Sequence, residues 1–289
     1  MYPKKILYSC IAVLIILTFN LSPLAQVKTT STKWKSPFFT IEVAGSYNLP
    51  IQESKGELGD FFRFKNYGTS IGWGAQFNFK FGLGDKGSYR PYIILGYSQL
   101  YGSNDDSAFI GRNYIDKGYP LKGSAVFGTP PNSGTKGESA IIIRIPYAGF
   151  GFEYAFTEAD RKKRQYIPFI GTEFFISVIT GKYKQTPVSA PFNSGMETPY
   201  IIKADVRFGL GVGAGMDIRF TKGFGMVFGF KYKHSNLIGK TADWLNEENK
   251  MNLLDKADTE LNTNLKENRN LAFFEFYLGV SFFVGKSRK

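Results

Sequence analysis

The chain has 289 residues, with 36 Lys and Arg against 24 Asp and Glu, a formal charge of +12, one His and one Cys. A single histidine excludes metal centres built on several imidazoles, and a single cysteine, Cys10, excludes an internal disulfide. So basic a balance points to nucleic acid or to an anionic membrane surface, and the elements taken in order choose between them.

Lys4 and Lys5 precede an apolar run from Ile6 to Leu17, and a small residue follows at Ala25. This is the pattern of an export signal, and the run is short of the roughly 20 residues that a spanning helix needs. The expected organisation is a cleaved signal peptide at 1–25, a periplasmic N-terminal segment at 26–37, a β-barrel at 38–285 and a tail at 286–289. After an export signal the membrane is the favoured destination of the positive charge.

From there the ruling pattern is alternation with a period of two, the mark of strands with two unlike faces. In order, strands are expected over 38–49, 71–82, 89–101, 141–156, 166–179, 200–220, 223–233 and 271–284. The sixth is the most regular. Tyr200, Ile202, Ala204, Val206, Phe208, Leu210, Val212, Ala214, Met216, Ile218 and Phe220 fall on one face, and chiefly charged residues or glycine fall on the other. Gly209, Gly211, Gly213 and Gly215 follow this same two-residue spacing and so are strand positions, whereas a phosphate-binding turn needs G-x-G-x-x-G between a strand and a helix.

The connections alternate in length. Those at 83–88, 157–165 and 221–222 are short, and those at 50–68, 102–140, 180–199 and 235–270 are long. Outer-membrane barrels have this rhythm, with short periplasmic turns and long extracellular loops, and an even strand count puts both chain ends on the periplasmic side. The basic turn Arg161-Lys162-Lys163-Arg164 has no aromatic interleaving and reads as a solvated turn, so no nucleic acid is expected. In the last long loop, Trp244, Leu245, Met251, Leu254, Ala257, Leu261 and Leu265 suit either a short amphipathic helix on the rim or disorder.

Volume decides which face points inward. The interior of an eight-stranded barrel is just wide enough to be filled by side chains, and the Phe, Tyr, Ile and Leu of the apolar face are too many to fit. Turned outward they meet lipid, and a closed barrel leaves no unpaired backbone edge in hydrocarbon. The fold class is therefore all-β, an eight-stranded antiparallel up-and-down transmembrane barrel. Strand six exceeds the length needed to cross, so the wall should continue beyond the membrane on the outer side.

The inward face then receives Glu42, Lys80, Glu153, Glu173, Lys203, Asp205, Arg207, Asp217, Arg219, Lys231, Lys233 and Glu275. Both signs occur, so the expectation is a network of paired charges in a closed lumen, since buried charges must be paired. A narrow path for ions or small solutes is the alternative. No cofactor and no metal site are expected.

His234 and Ser235 lie in Lys233-His234-Ser235-Asn236, which resembles the lipid A deacylase family, where His-x-Ser-Asn places a base and a nucleophile on one strand surface. Here the two are adjacent and face opposite ways unless a bulge intervenes. The expectation is that the chain is not an enzyme, with His234 and Ser235 as the residues of a lipid A deacylase-like hydrolase if it is one.

By strand rhythm and loop alternation over 38–284, the chain resembles small outer-membrane barrels of the OmpA/OmpX type and porin-like barrels of Bacteroidetes-type bacteria. The resemblance rests on no diagnostic motif. Gly285 to Lys289 depart from the terminal aromatic of such barrels, although Phe282 and Phe283 lie close by. It implies a place in the bacterial outer membrane of a Gram-negative cell and assembly by the barrel-assembly machinery. The implied partners are membrane lipid and lipopolysaccharide, with an extracellular partner through the long loops, and the implied role is that of a structural or surface-interaction protein.

Overall fold

The computed structural model describes residues 39–56, 58, 61, 65–83, 87–104, 137–156, 165–187, 198–221, 223–242, 250–256 and 268–284. The expected signal peptide and N-terminal segment, the tail, the basic turn at 161–164 and most of the proposed rim helix lie outside these residues. The strands are β1 (Phe39–Ile51), β2 (Ile71–Phe81), β3 (Tyr89–Asn104), β4 (Gly137–Ala155), β5 (Gln165–Pro187), β6 (Thr198–Arg219), β7 (Phe224–Ile238), a two-residue β8 (Lys250–Met251) and β9 (Ala272–Val284).

Each long strand pairs antiparallel with two neighbours, in the order β1-β2-β3-β4-β5-β6-β7-β9, and β9 returns to β1. The ring is closed, so the eight long strands form an up-and-down barrel without a free edge. Short connections gather at one end, here the turn end, and long ones at the other, the loop end. The wall is uneven. β4, β5 and β6 run for 19, 23 and 22 residues, against 13, 11 and 13 for β1, β2 and β9, so one side stands taller at the loop end.

Alternation holds as expected over most of this wall. Along β2, Gly72, Gly74, Gln76, Asn78 and Lys80 are buried, while Ile71, Trp73 and Phe77 are exposed. Two bulges break the phase elsewhere. Opposite β5, Ile179 pairs with Asp205 and Gly181 with Ile202, so β6 carries an extra residue there and Lys203 and Ala204 are both exposed. Opposite β6, Phe208 pairs with Ile238 and Leu210 with His234, so β7 gains two residues and Ser235 and Asn236 are both buried. The unbroken alternation expected over 200–220 therefore stops at Lys203, and Ile202 turns inward.

The interior is also more aromatic than the volume argument allowed, for Tyr92, Tyr147, Phe169, Phe175 and Tyr277 are buried inside. Glycine makes the room. The Tyr147 ring lies against Gly96 and the Tyr92 ring against Gly151, each on a neighbouring strand, and a Cβ at either glycine would fall within the ring's own volume.

Candidate functional site

At the turn end and middle of the barrel the interior is ionic. Arg90 pairs with Asp217, and the Arg219 guanidinium lies 4.3 Å from the centre of the Phe283 ring. Further in, Lys80 Nζ bridges Glu42 at 2.6 Å and Glu153 at 2.7 Å, and Asn78 donates to the second oxygen of Glu42 at 3.3 Å. Above this, Glu173 accepts from Lys231 at 2.7 Å and pairs with Lys233 at 3.3 Å, and Lys233 also reaches Glu275 at 2.9 Å. The phenols join in: Tyr92 donates to Glu173 at 3.2 Å, and Lys233 donates to Tyr147 at 2.6 Å while lying 4.0 Å from its ring centre.

These charges balance. Glu42, Glu153, Glu173, Asp217 and Glu275 face Lys80, Arg90, Arg219, Lys231 and Lys233 across a space where an unmatched ion would be costly. Between Tyr92, Phe169, Glu173, Lys231 and Tyr277 the structure leaves ≈ 10 Å³ for the centre of a water molecule. That is about one water's worth of space.

Toward the loop end the chemistry reverses. Ile141, Ile143 and Ile145 of β4, Ile179 and Tyr183 of β5 and Ile202 of β6 are buried in one apolar cluster. Two loops complete it, the first through Leu58, Phe61 and Tyr67 and the last through Leu253 and Leu254. Phe61 stacks on Tyr183 with ring centres 5.7 Å apart. The described part of the last loop is thus neither rim helix nor surface coil: Lys250–Met251 adds a parallel strand to β6 at Ile201 and Ile202, and Leu254 is buried with a left-handed φ of 57°.

Arg269 knits the two loops. Fully buried, it donates to the carbonyls of Leu254 (2.7 Å), Phe61 (2.9 Å) and Asn66 (2.8 Å), between the rings of Phe61 and Tyr67. Asp255 ties them to the wall: Arg207 grips it with two bonds of 2.7 and 3.0 Å, and Asn236 donates to it at 3.3 Å. Asn236 in turn accepts from Leu271 N at 2.6 Å. Burial in this apolar end raises the Tyr67 phenol above its ordinary value, with Arg269 opposing.

Of the sequence-predicted interior residues, Glu42, Lys80, Glu153, Glu173, Asp217, Arg219, Lys231, Lys233 and Glu275 come together inside. Arg207 is buried but turned to the loop, with the partly exposed Asp205 at 3.3 Å. Lys203 is a correction: the β6 bulge carries it to the outside of the barrel. Arg90 was missed although its parity with Tyr92 and Ile94 places it inward. Asp255 and Arg269 were missed because nothing local in a loop says that it folds into a barrel mouth.

The structure does not bring His234 and Ser235 onto one face of the strand. His234 is half-buried with its ring edge-on to Tyr232, on the outward face, whereas Ser235 is buried at the bulge. Neither Ser235 Oγ nor His234 Nε2 finds a hydrogen-bond partner among the described residues.

No protein-family model and no curated protein matches the chain. Among solved structures it is similar to Neisserial surface protein A, with 12% identity, TM-score 0.39 and coverage of 85% of this chain and 97% of that one. It is also similar to a major outer membrane protein from Thermus thermophilus (10% identity, TM-score 0.40, 84% and 98% covered). A third is Ail, the attachment invasion locus protein of Yersinia pestis (10% identity, TM-score 0.33, 86% and 98% covered). At such identities and TM-scores the likenesses say nothing of ligand or activity, and the barrel stands on its own strand pairing.

Proposed function

We propose that the protein is a barrel of the bacterial outer membrane that does not conduct and does not catalyse, and that acts at the cell surface as a structural or interaction protein. The membrane reading is supported by the outward face. On β5, Tyr166, Ile170, Phe174, Ile176 and Val178 are all exposed. At ~3.3 Å per residue and a tilt of ~40° this series covers about 30 Å, the thickness of a bilayer's hydrocarbon. Aromatic girdles fit the two interfaces, with Tyr89, Tyr154 and Tyr166 exposed toward the turn end and Tyr47, Trp73 and Tyr101 toward the loop end. The loop end then faces the medium.

The observation that carries the closed reading is the succession of two unlike obstructions inside one wall, paired ions below and an apolar loop plug above. The plug, as far as its described residues go, presents an ion with apolar side chains, and the space among Tyr92, Phe169, Glu173, Lys231 and Tyr277 in the ionic layer is about that of one water, which supports this reading. The test is conductance of the refolded protein in a planar bilayer, after heat-modifiable gel migration has shown a closed barrel. We expect no unitary current. Steady currents would sink the closed reading and make Glu173, Lys231 and Lys233 the lining of a narrow pore. Loss of acyl chains from lipid A in the same bilayers, abolished by His234→Ala, would overturn the non-enzymatic one.

A further inference from the structure

The tall side of the wall changes character abruptly above its apolar band. On β5 the outward series runs Phe174, Ile176, Val178 and then Thr180, Lys182, Lys184. On β4 exposed Ala148 and Pro146 give way to Arg144, and on β6 exposed Phe208 and Val206 give way to the bulge at Ala204 and Lys203. The strand register brings these switches together. Arg144 is opposite Thr180, Lys182 is opposite both Ile142 and Ile201, and Lys203 lies in the bulge facing Thr180.

Lys182 on β5 is therefore the diagonal neighbour of Arg144 on β4 and of Lys203 on β6, each about 7–8 Å away along the sheet, while Arg144 and Lys203 flank β5 two strand spacings apart, about 10 Å. The bulge is what completes the row. Without it, the parity of β6 would send Lys203 into the barrel, as the sequence alone suggests. Asp205, beside the bulge, is engaged by Arg207 at 3.3 Å and does not neutralise the row. Among the described side chains of this stretch no carboxylate faces outward with it.

We infer that Arg144, Lys182 and Lys203 form a binding site for the phosphate groups of an outer-leaflet glycolipid. The inference rests on the membrane reading above and gives it a specific lipid contact. Three cations at the upper edge of a lipid-facing band stand at headgroup level. Ile142 and Ile201 beside Lys182 supply apolar contact for the same amphipathic molecule, which a soluble anion would not use. A guanidinium adds bidentate geometry suited to phosphate, and lysines add point charges. Each such cation at an anionic surface is worth roughly a fivefold change in affinity, and the set is placed on rigid strands, so little ordering is required on binding.

The test is native mass spectrometry of the protein in detergent micelles titrated with purified bis-phosphorylated lipid A and with the same lipid A after dephosphorylation. Heat-modifiable migration of each variant is recorded first, so that failure to form a barrel, which would count against the membrane reading, is separated from failure to bind. We expect the phosphorylated lipid to be retained and the dephosphorylated one to be lost. The triple variant Arg144→Gln, Lys182→Gln, Lys203→Gln should bind on the order of 100-fold more weakly. A control removing the exposed loop cations Lys55 and Lys256 should bind as the parent does. Equal binding by the triple variant, or equal retention of the two lipids, would overturn the assignment. So would tight, saturable binding of inorganic pyrophosphate by the parent that the triple variant lacks, since the ligand would then be a soluble anion.

Discussion

The two halves of the interior are filled by opposite means within one continuous wall. Near the turn end the strands themselves supply everything, with Lys80, Glu42 and Glu153 coming from β2, β1 and β4 and meeting by register alone. Near the loop end the strands supply an apolar cup of isoleucines with Leu100, Tyr183 and Phe273, and loops add Phe61, Tyr67, Leu253 and Leu254. The ionic half is thus part of the barrel's own folding, whereas the apolar half is a docking event between loops and wall. Damage to the first should lower the stability of the whole barrel, and damage to the second should open the mouth while the barrel persists.

The sharpest way to break this comparison is Lys80→Met. It leaves Glu42 and Glu153 buried without their shared cation, and removing one partner of a buried ion pair costs about 3–5 kcal/mol. We expect a large drop in the urea midpoint of the whole barrel, recovered in part by adding Glu42→Gln and Glu153→Gln, which remove the stranded charges. Arg269→Met should come next, at about 2–4 kcal/mol, since it strands the carbonyls of Leu254, Phe61 and Asn66. Here the readout should divide: faster tryptic cleavage of the loops, with the heat-modifiable migration of the barrel unchanged. A fall in barrel stability equal to that of Lys80→Met would show that the two halves fold as one unit.

Smaller again is Gly151→Val. The Tyr92 ring occupies the space a side chain would need, and overpacking of this kind costs about 1–3 kcal/mol. The loss should appear in the barrel's urea midpoint and not in loop cleavage, and Tyr92→Ala in the same chain should relieve part of it.

How far the sequence could be read follows the same division. The outward face was legible because each position had two choices and the large apolar residues took one of them, as on β2. The ionic half followed from parity, and even Arg90 could have been placed that way. The plug was not legible, because Ile141, Ile142 and Ile143 are apolar on both faces and leave parity with nothing to distinguish. The bulge at Lys203 was hidden by alternation that runs through it unbroken, with Ile202 and Ala204 reading as one face though one turns in and the other out. Arg269 and Asp255 depend on contacts across the fold, to Phe61 and to Arg207, which no local pattern encodes.

The smallest expected effect concerns pH and tests whether the plug responds alone. The Tyr67 phenol is buried against Arg269, with Asp255 and Arg207 nearby, and burial raises it above its ordinary value of about 10. A phenol raised in the folded state contributes stability that is fully present below its unfolded value and is lost as pH rises beyond it. Loop cleavage of the parent should therefore accelerate above about pH 10, when the docked loops must release Tyr67 to ionise it. Tyr67→Phe should show less of that acceleration, and both proteins should keep the same barrel migration over the range. Identical alkaline acceleration in the two would move the sensitivity away from Tyr67 and out of the plug. The plug would then be reporting the state of the barrel beneath it, and the division between the halves would fail.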